Sequence, residues 1–315
     1  MKVVLLESLG VDAATLATLE APFTEKGVVF SHCERTADIP TLKEELDVAE
    51  VAFLADMPLP AEAFENASRL QYINVAFTGV NHVAVSAAKE RGIVVSNASG
   101  YATHAVSELT LGTVLSLYRE LSTMEKDLRG GGARNGRVGL EVCGKTVGVI
   151  GCGKIGSQSA ELFYHLGATI LGFSHRENLM VPHYVEPVSL EDLLARSDIV
   201  LLHCPLNENT HHLIDEKALR MMKPNGILVN MARGPVVDNG ALAVALKEGR
   251  IAGAALDVFD QEPPLNVEDP ILSAPNTLLT PHIGFATKEA MERRAEIVFD
   301  NLAKWMEGTP QNLVY

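Results

Sequence analysis

The stretch Val147-Gly148-Val149-Ile150-Gly151-Cys152-Gly153-Lys154-Ile155-Gly156 decides how the chain is to be read. It opens as a short apolar, β-branched run of the kind that forms a buried strand. Glycines at the spacing G-x-G-x-x-G recur by chance, but here a helical pattern over 155–166 opens directly on them and closes at Gly167. In that setting Gly151 permits a tight turn, Gly153 lets a pyrophosphate approach the backbone, and Gly156 lets the helix pack close to the strand. The first helical turn, at Lys154 and Ile155, would offer the phosphates free N–H groups and a positive dipole end. The segment predicts a dinucleotide-binding strand, turn and helix.

Working outward, short β-branched runs alternate with longer helical patterns along the whole chain, which argues for parallel sheets flanked by helices. Strands are expected at 3–6, 51–55, 72–76 and 92–96, with helices near 12–20 and 60–67 between them. One long helix is expected over 107–128, stopped by the glycines after Arg129. A second strand series follows at 146–150, 169–173, 198–203, 226–230, 251–256 and 277–280, and a last helix at 287–307. The expected class is α/β, with two doubly wound parallel-sheet domains.

The strand at 169–173 ends in Ser174-His175-Arg176, where a dinucleotide fold that selects NAD carries an acid for the ribose 2′-hydroxyl. A carboxylate there would repel a 2′-phosphate, whereas a serine hydroxyl beside a guanidinium can bond one. NADP is therefore favoured over NAD as the cofactor.

Twenty-six basic against forty acidic residues leave 315 residues with a net charge of −14. That balance disfavours nucleic acid or an anionic membrane surface as a partner, and no apolar run has the length of a membrane span. Cys33, Cys143, Cys152 and Cys204 are scattered without metal-ligand spacing, so no metal is expected and a cytoplasmic location with reduced thiols fits best.

Three polar segments interrupt apolar strand ends: Asn230-Met231-Ala232-Arg233-Gly234, then Asp257 and Glu262 within 256–263, then Thr280-Pro281-His282-Ile283-Gly284. Each sits where open α/β sheets bind ligands, at the carboxyl edge. An arginine can hold a carboxylate in a bidentate grip and polarise the adjacent carbonyl. A histidine can exchange the proton that accompanies hydride transfer, and a glutamate on its other nitrogen would orient the ring.

With these motifs in place the chain resembles the D-isomer-specific 2-hydroxyacid dehydrogenase family over nearly its whole length, in the manner of glyoxylate/hydroxypyruvate reductases or D-lactate dehydrogenases. The resemblance implies reduction of a small 2-oxoacid, with Arg233 binding the carboxylate and carbonyl, His282 as general acid/base and Glu262 as its partner. It also implies cofactor contacts from Met231, Ala232, Asp257, Thr210 and Gly284, with His203-Cys204-Pro205 on the adenosine side. Phe77-Thr78-Gly79-Val80-Asn81-His82-Val83 resembles the family's substrate loop, in which the N–H groups around Thr78 and Gly79 would hold the substrate carboxylate. The family architecture places a Rossmann cofactor domain, residues 101–284, inside a flavodoxin-like substrate domain of residues 1–100 plus 285–315. Relatives commonly form homodimers through the long helix, here near 106–128.

Neither 52–56 nor 74–77 carries an arginine for a phosphate, so phosphoglycerate is not expected as substrate. Leu54, Met57, Phe77 and Tyr101 are expected instead to line a small apolar pocket. Two other functions share this fold: an NAD(P)-sensing binding protein or co-repressor, and a dehydrogenase of another small anion such as formate or phosphite. The intact set of Arg233, Glu262 and His282 favours the enzyme, and Glu262 in place of a glutamine speaks against formate.

Overall fold

The computed structural model describes residues 1–175, 181–262 and 264–315. It divides into two compact units, one of Met1–Ala102 with Ala286–Tyr315, the other of Thr103–Phe285.

The first unit runs β1 (Lys2–Leu5), α1 (Ala13–Thr24), β2 (Val29–His32), α2 (Ile39–Asp47), β3 (Val51–Leu54), α3 (Ala61–Phe64), β4 (Tyr72–Val75), α4 (Val85–Glu90), β5 (Val94–Asn97) and, from the far end of the chain, α11 (Lys288–Met306). Its described strands form a parallel sheet in the order β2-β1-β3-β4-β5, the flavodoxin-like arrangement. β3 and β4 are buried at every position, as strands covered on both faces must be. α11 closes one face. Phe299 packs against Phe23, Phe30 and Phe53 with ring centroids 5.7–5.9 Å apart, and Trp305 stacks on Tyr72 at 5.1 Å. Burying Phe299 alone is worth about 2–3 kcal/mol, so the last helix belongs energetically to the first residues of the chain.

The second unit runs α5 (Thr103–Arg119), α6 (Leu121–Arg129), β6 (Thr146–Ile150), α7 (Lys154–His165), β7 (Thr169–Phe173), β8 (Val185–Pro187), α8 (Leu190–Arg196), β9 (Ile199–Leu202), α9 (Glu216–Met221), β10 (Ile227–Asn230), α10 (Asn239–Lys247), β11 (Gly253–Leu256) and β12 (Thr277–Leu279). Its described strands are again all parallel, in the order β12-β11-β10-β9-β6-β7-β8. The strand order reverses at β6, which lies between β7 and β9. That reversal opens the crevice in which a dinucleotide fold binds its ligand.

Three sequence expectations need correction. The helix expected over 107–128 is two helices, broken at Glu120, whose φ is +51°. The break follows from a distant contact: the Tyr118 carbonyl accepts the Leu140 N–H at 2.8 Å instead of continuing the helical ladder. β2 and β8 were not foreseen. Both are edge strands, β2 half-polar and partly exposed, β8 ending in a proline that only an edge tolerates, so neither carries a buried-strand pattern.

Candidate active site

All three glycines of the turn meet the steric demands read from their spacing. Gly151 has φ +96°, and a Cβ built there would lie 2.5 Å from the Cys204 backbone nitrogen. At Gly156 it would lie 2.0 Å from the Gly151 carbonyl oxygen, so the helix sits as close to the turn as only glycine permits. At Gly153 it would meet nothing within 4 Å. No side chain among the described residues caps α7, which leaves the N–H groups of its first turn, including those of Lys154 and Ile155, available to a ligand.

Beside this turn lies a cavity of about 260 Å³ lined by Gly151, Gly153, Ser174, His175, His203, Cys204, Pro205 and Thr210, among others. Both ring nitrogens of His203 are buried with no hydrogen-bond partner among the described residues, and burial pushes its pKa down to about 4, so the ring is neutral near pH 7 with one donor and one acceptor to offer. Open space at Gly153, an uncapped helix start and an orphaned buried imidazole suit the pyrophosphate and adenosine of a dinucleotide. The Thr210 hydroxyl is already engaged within its turn, donating to Pro205 O at 2.6 Å. Met231 and Ala232 are not among the residues that line this cavity; they belong to the Arg233 loop. Arg176 lies outside the described residues, as does Pro263.

The proposed chemical residues sit at the carboxyl ends of adjacent strands. Asn230 is level with Leu256, and Leu256 with Leu279, so the loops carrying Arg233, Glu262 and His282 emerge side by side. Local contacts fix each loop. Buried Asn230 accepts from Ala232 N at 3.0 Å and donates to Arg233 O at 2.9 Å, and the Arg233 guanidinium donates to Ala232 O at 2.7 Å. A Cβ at Gly234 would lie 1.9 Å from the Phe259 carbonyl carbon, so the first loop rests directly on the second.

Asp257 ties the second loop to the third. Its buried carboxylate accepts from Thr280 Oγ1 at 2.6 Å, Ile283 N at 2.8 Å and Gly284 N at 2.7 Å, and its carbonyl accepts from His282 N at 2.9 Å. Asp257, expected as a cofactor contact, thus shapes the histidine loop. Those bonds hold His282 at φ +54°, a conformation that few non-glycine residues adopt. The ring meets Glu262: Nδ1 and Oε2 are 2.9 Å apart, and Phe285 stands edge-on to it with centroids 5.5 Å apart.

In the first unit, Thr78 and Gly79 follow β4, and the Thr78 carbonyl accepts from Asn97 Nδ2 at 2.8 Å. Leu54, Met57 and Tyr101, expected along a pocket, are core residues with at most 1% exposure. The Tyr101 ring lies under the Arg294 guanidinium at 5.9 Å, and its carbonyl accepts from Arg293. An arginine does reach the 52–56 stretch from elsewhere: Arg35 pairs with Asp56 and, at 2.6 Å, with buried Glu7, so two carboxylates neutralise it.

The model of the D-isomer specific 2-hydroxyacid dehydrogenase NAD-binding domain matches residues 111–284. The chain belongs to the D-isomer-specific 2-hydroxyacid dehydrogenase family. A glyoxylate reductase from Korarchaeum cryptofilum is 38% identical over 94% of this chain and 87% of its own length. A hydroxypyruvate reductase from Blautia hydrogenotrophica is 30% identical over 100% of this chain and 99% of its own. Among solved structures, an acyclic imino acid reductase in complex with NADPH and D-Arg superposes with a TM-score of 0.91 at 26% identity, covering both chains fully. No described helix in this family member is long and apolar enough to cross a membrane. Sequence reading gave no role to three residues that hold these loops: Asn230, Gly234 and Asn97. Asn230 lies three residues before Arg233, a spacing at which an asparagine side chain reaches its own loop, and that was the available signal.

Proposed function

We propose that this dehydrogenase reduces a small 2-oxoacid, of the glyoxylate or hydroxypyruvate size, to the D-2-hydroxyacid with NADPH preferred over NADH. The contact between His282 Nδ1 and Glu262 carries the reading, because it is the pairing a proton donor to a forming alkoxide needs. When bound, the nicotinamide supplies the hydride. The chain supplies the rest. Arg233 grips a carboxylate and polarises the 2-oxo group. In the first unit, Thr78 and Gly79 offer backbone N–H groups to a substrate carboxylate. With Nδ1 turned to Glu262, His282 passes its proton to the alkoxide through Nε2, and Glu262 orients the ring. α7 holds the pyrophosphate at its N-terminus. Ser174, in place of an acid, sets no carboxylate against a 2′-phosphate.

Absorbance at 340 nm with NADPH and NADH in parallel, against glyoxylate, hydroxypyruvate, pyruvate and 2-oxoisocaproate, tests both parts. NADPH should give a kcat/KM at least about tenfold above NADH. Preference for NADH would remove the cofactor assignment and keep the enzyme; cofactor binding without turnover of any acid would favour a sensing protein.

A homodimer in the cytoplasm completes the reading. None of the nine residues of α6 is buried, and Leu128 (70% exposed) and Val138 (78%) stand out among its exposed apolar neighbours, which a second copy would cover. All four cysteines are free thiols, in keeping with a reducing compartment. Sedimentation equilibrium should return twice the chain mass, and replacing Leu121 and Leu128 with glutamate should halve it; a native monomer would remove the dimer.

A further inference from the structure

In the loop that follows β4, the N–H groups of Thr78, Gly79 and Val80 donate to no acceptor among the described residues, while the Thr78 carbonyl is held by Asn97 Nδ2 at 2.8 Å. The C=O and N–H of one trans peptide point in opposite directions. Holding the Thr78 carbonyl on Asn97 therefore points the Gly79 N–H the opposite way within the peptide plane, away from Asn97.

Asn97 has little freedom of its own. It ends β5 in register with Val75 of β4. Its Oδ1 accepts from Ser99 N at 3.2 Å, which decides that the amide nitrogen, not the oxygen, faces Thr78. Its backbone N–H donates to Asn312 O at 3.0 Å, and its carbonyl accepts from Asn301 Nδ2 at 3.0 Å. Asn301, fully buried on α11, also accepts from Asn312 Nδ2 at 2.8 Å. This ladder anchors the loop to the terminal helix and the chain's tail. Only asparagine supplies a donor to Thr78 and an acceptor to Ser99 at this reach: aspartate offers two acceptors, and a serine hydroxyl is shorter.

We propose that Asn97 is a positioning residue for the substrate carboxylate, orienting the Thr78-Gly79 peptide so that the Gly79 N–H donates to it. The assignment rests on the reading that this loop binds the carboxylate. A backbone N–H donating to an anion makes a strong, charge-assisted bond only when it is aimed before the anion arrives, and Asn97 does the aiming.

The test compares Asn97→Asp with Gly79→Pro, which removes the N–H itself, measuring KM for the 2-oxoacid, kcat, NADPH affinity and Tm. Asn97→Asp should raise KM about tenfold or more with kcat within about threefold and NADPH affinity unchanged. Its KM ratio to the native enzyme should shrink at acidic pH, where the introduced carboxyl regains a proton and donates to Thr78 again. A fall in Tm and kcat with KM unchanged would overturn the assignment, as would a KM ratio that ignores pH. A raised KM in Gly79→Pro alone would overturn the role of Asn97 and keep the loop as the carboxylate site. Unchanged KM in both would overturn the loop reading itself, and the assignment with it. Should Asn97→Asp not fold, Asn97→Ser carries the same KM and kcat comparison.

Discussion

Replacing Arg233 with alanine should lower kcat/KM for the 2-oxoacid by at least about a thousandfold, or about 4 kcal/mol, with NADPH binding intact. The size of the effect follows from what the guanidinium is asked to do. In the proposed mechanism it holds the carboxylate in a two-bond grip and sits against the carbonyl oxygen as that oxygen gains charge, so its loss would cost substrate binding and transition-state stabilisation together. Structural damage should be slight, because the Arg233 loop is shaped mainly by Asn230 and by the close approach of Gly234 to Phe259, neither of which needs the side chain. Arg233→Lys keeps the charge and loses the planar fork, so it should recover only part of the loss. Turnover by Arg233→Ala within tenfold of the native enzyme would mean that the carboxylate is bound elsewhere.

The second large effect is expected for His282→Asn, with kcat for reduction falling by about 10²–10⁴ and KM nearly unchanged. Asparagine is the right replacement because the position has φ +54°, which asparagine tolerates better than alanine or glutamine. The Asp257 bonds that hold the loop go to backbone groups and to Thr280, so they survive the substitution. Reduction in the proposed mechanism consumes a proton carried by the ring, so a variant that keeps the native kcat would show that the proton comes from another group.

Much of this was legible in the chain itself. The turn at Gly151, Gly153 and Gly156 was readable because its demands are steric and local, and each is met within a few residues of sequence or directly across the neighbouring strand. Arg233, Glu262 and His282 were readable as candidates because parallel strands deliver their chemistry just past their carboxyl ends, so an apolar run followed by a lone polar residue marks the place. The break at Glu120 was not readable, since it comes from the Leu140 N–H taking the Tyr118 carbonyl at 2.8 Å, and the apolar periodicity runs on through it. β2 and β8 were missed because edge strands lack the continuous apolar pattern of buried ones.

The sequence by itself determined the parallel α/β class and the dinucleotide turn and singled out Arg233, Glu262 and His282 as candidates, because those follow from backbone sterics, hydrophobic periodicity and side-chain chemistry. Only the tertiary structure decided how those side chains are held. Strand register sets Asp257 under the His282 loop, Glu262 against Nδ1 at 2.9 Å, and Asn97 on the Thr78 carbonyl. Each pairing joins residues about twenty apart along the chain, and a hydrogen bond requires alignment to a few tenths of an ångström, which no local pattern of residue types encodes.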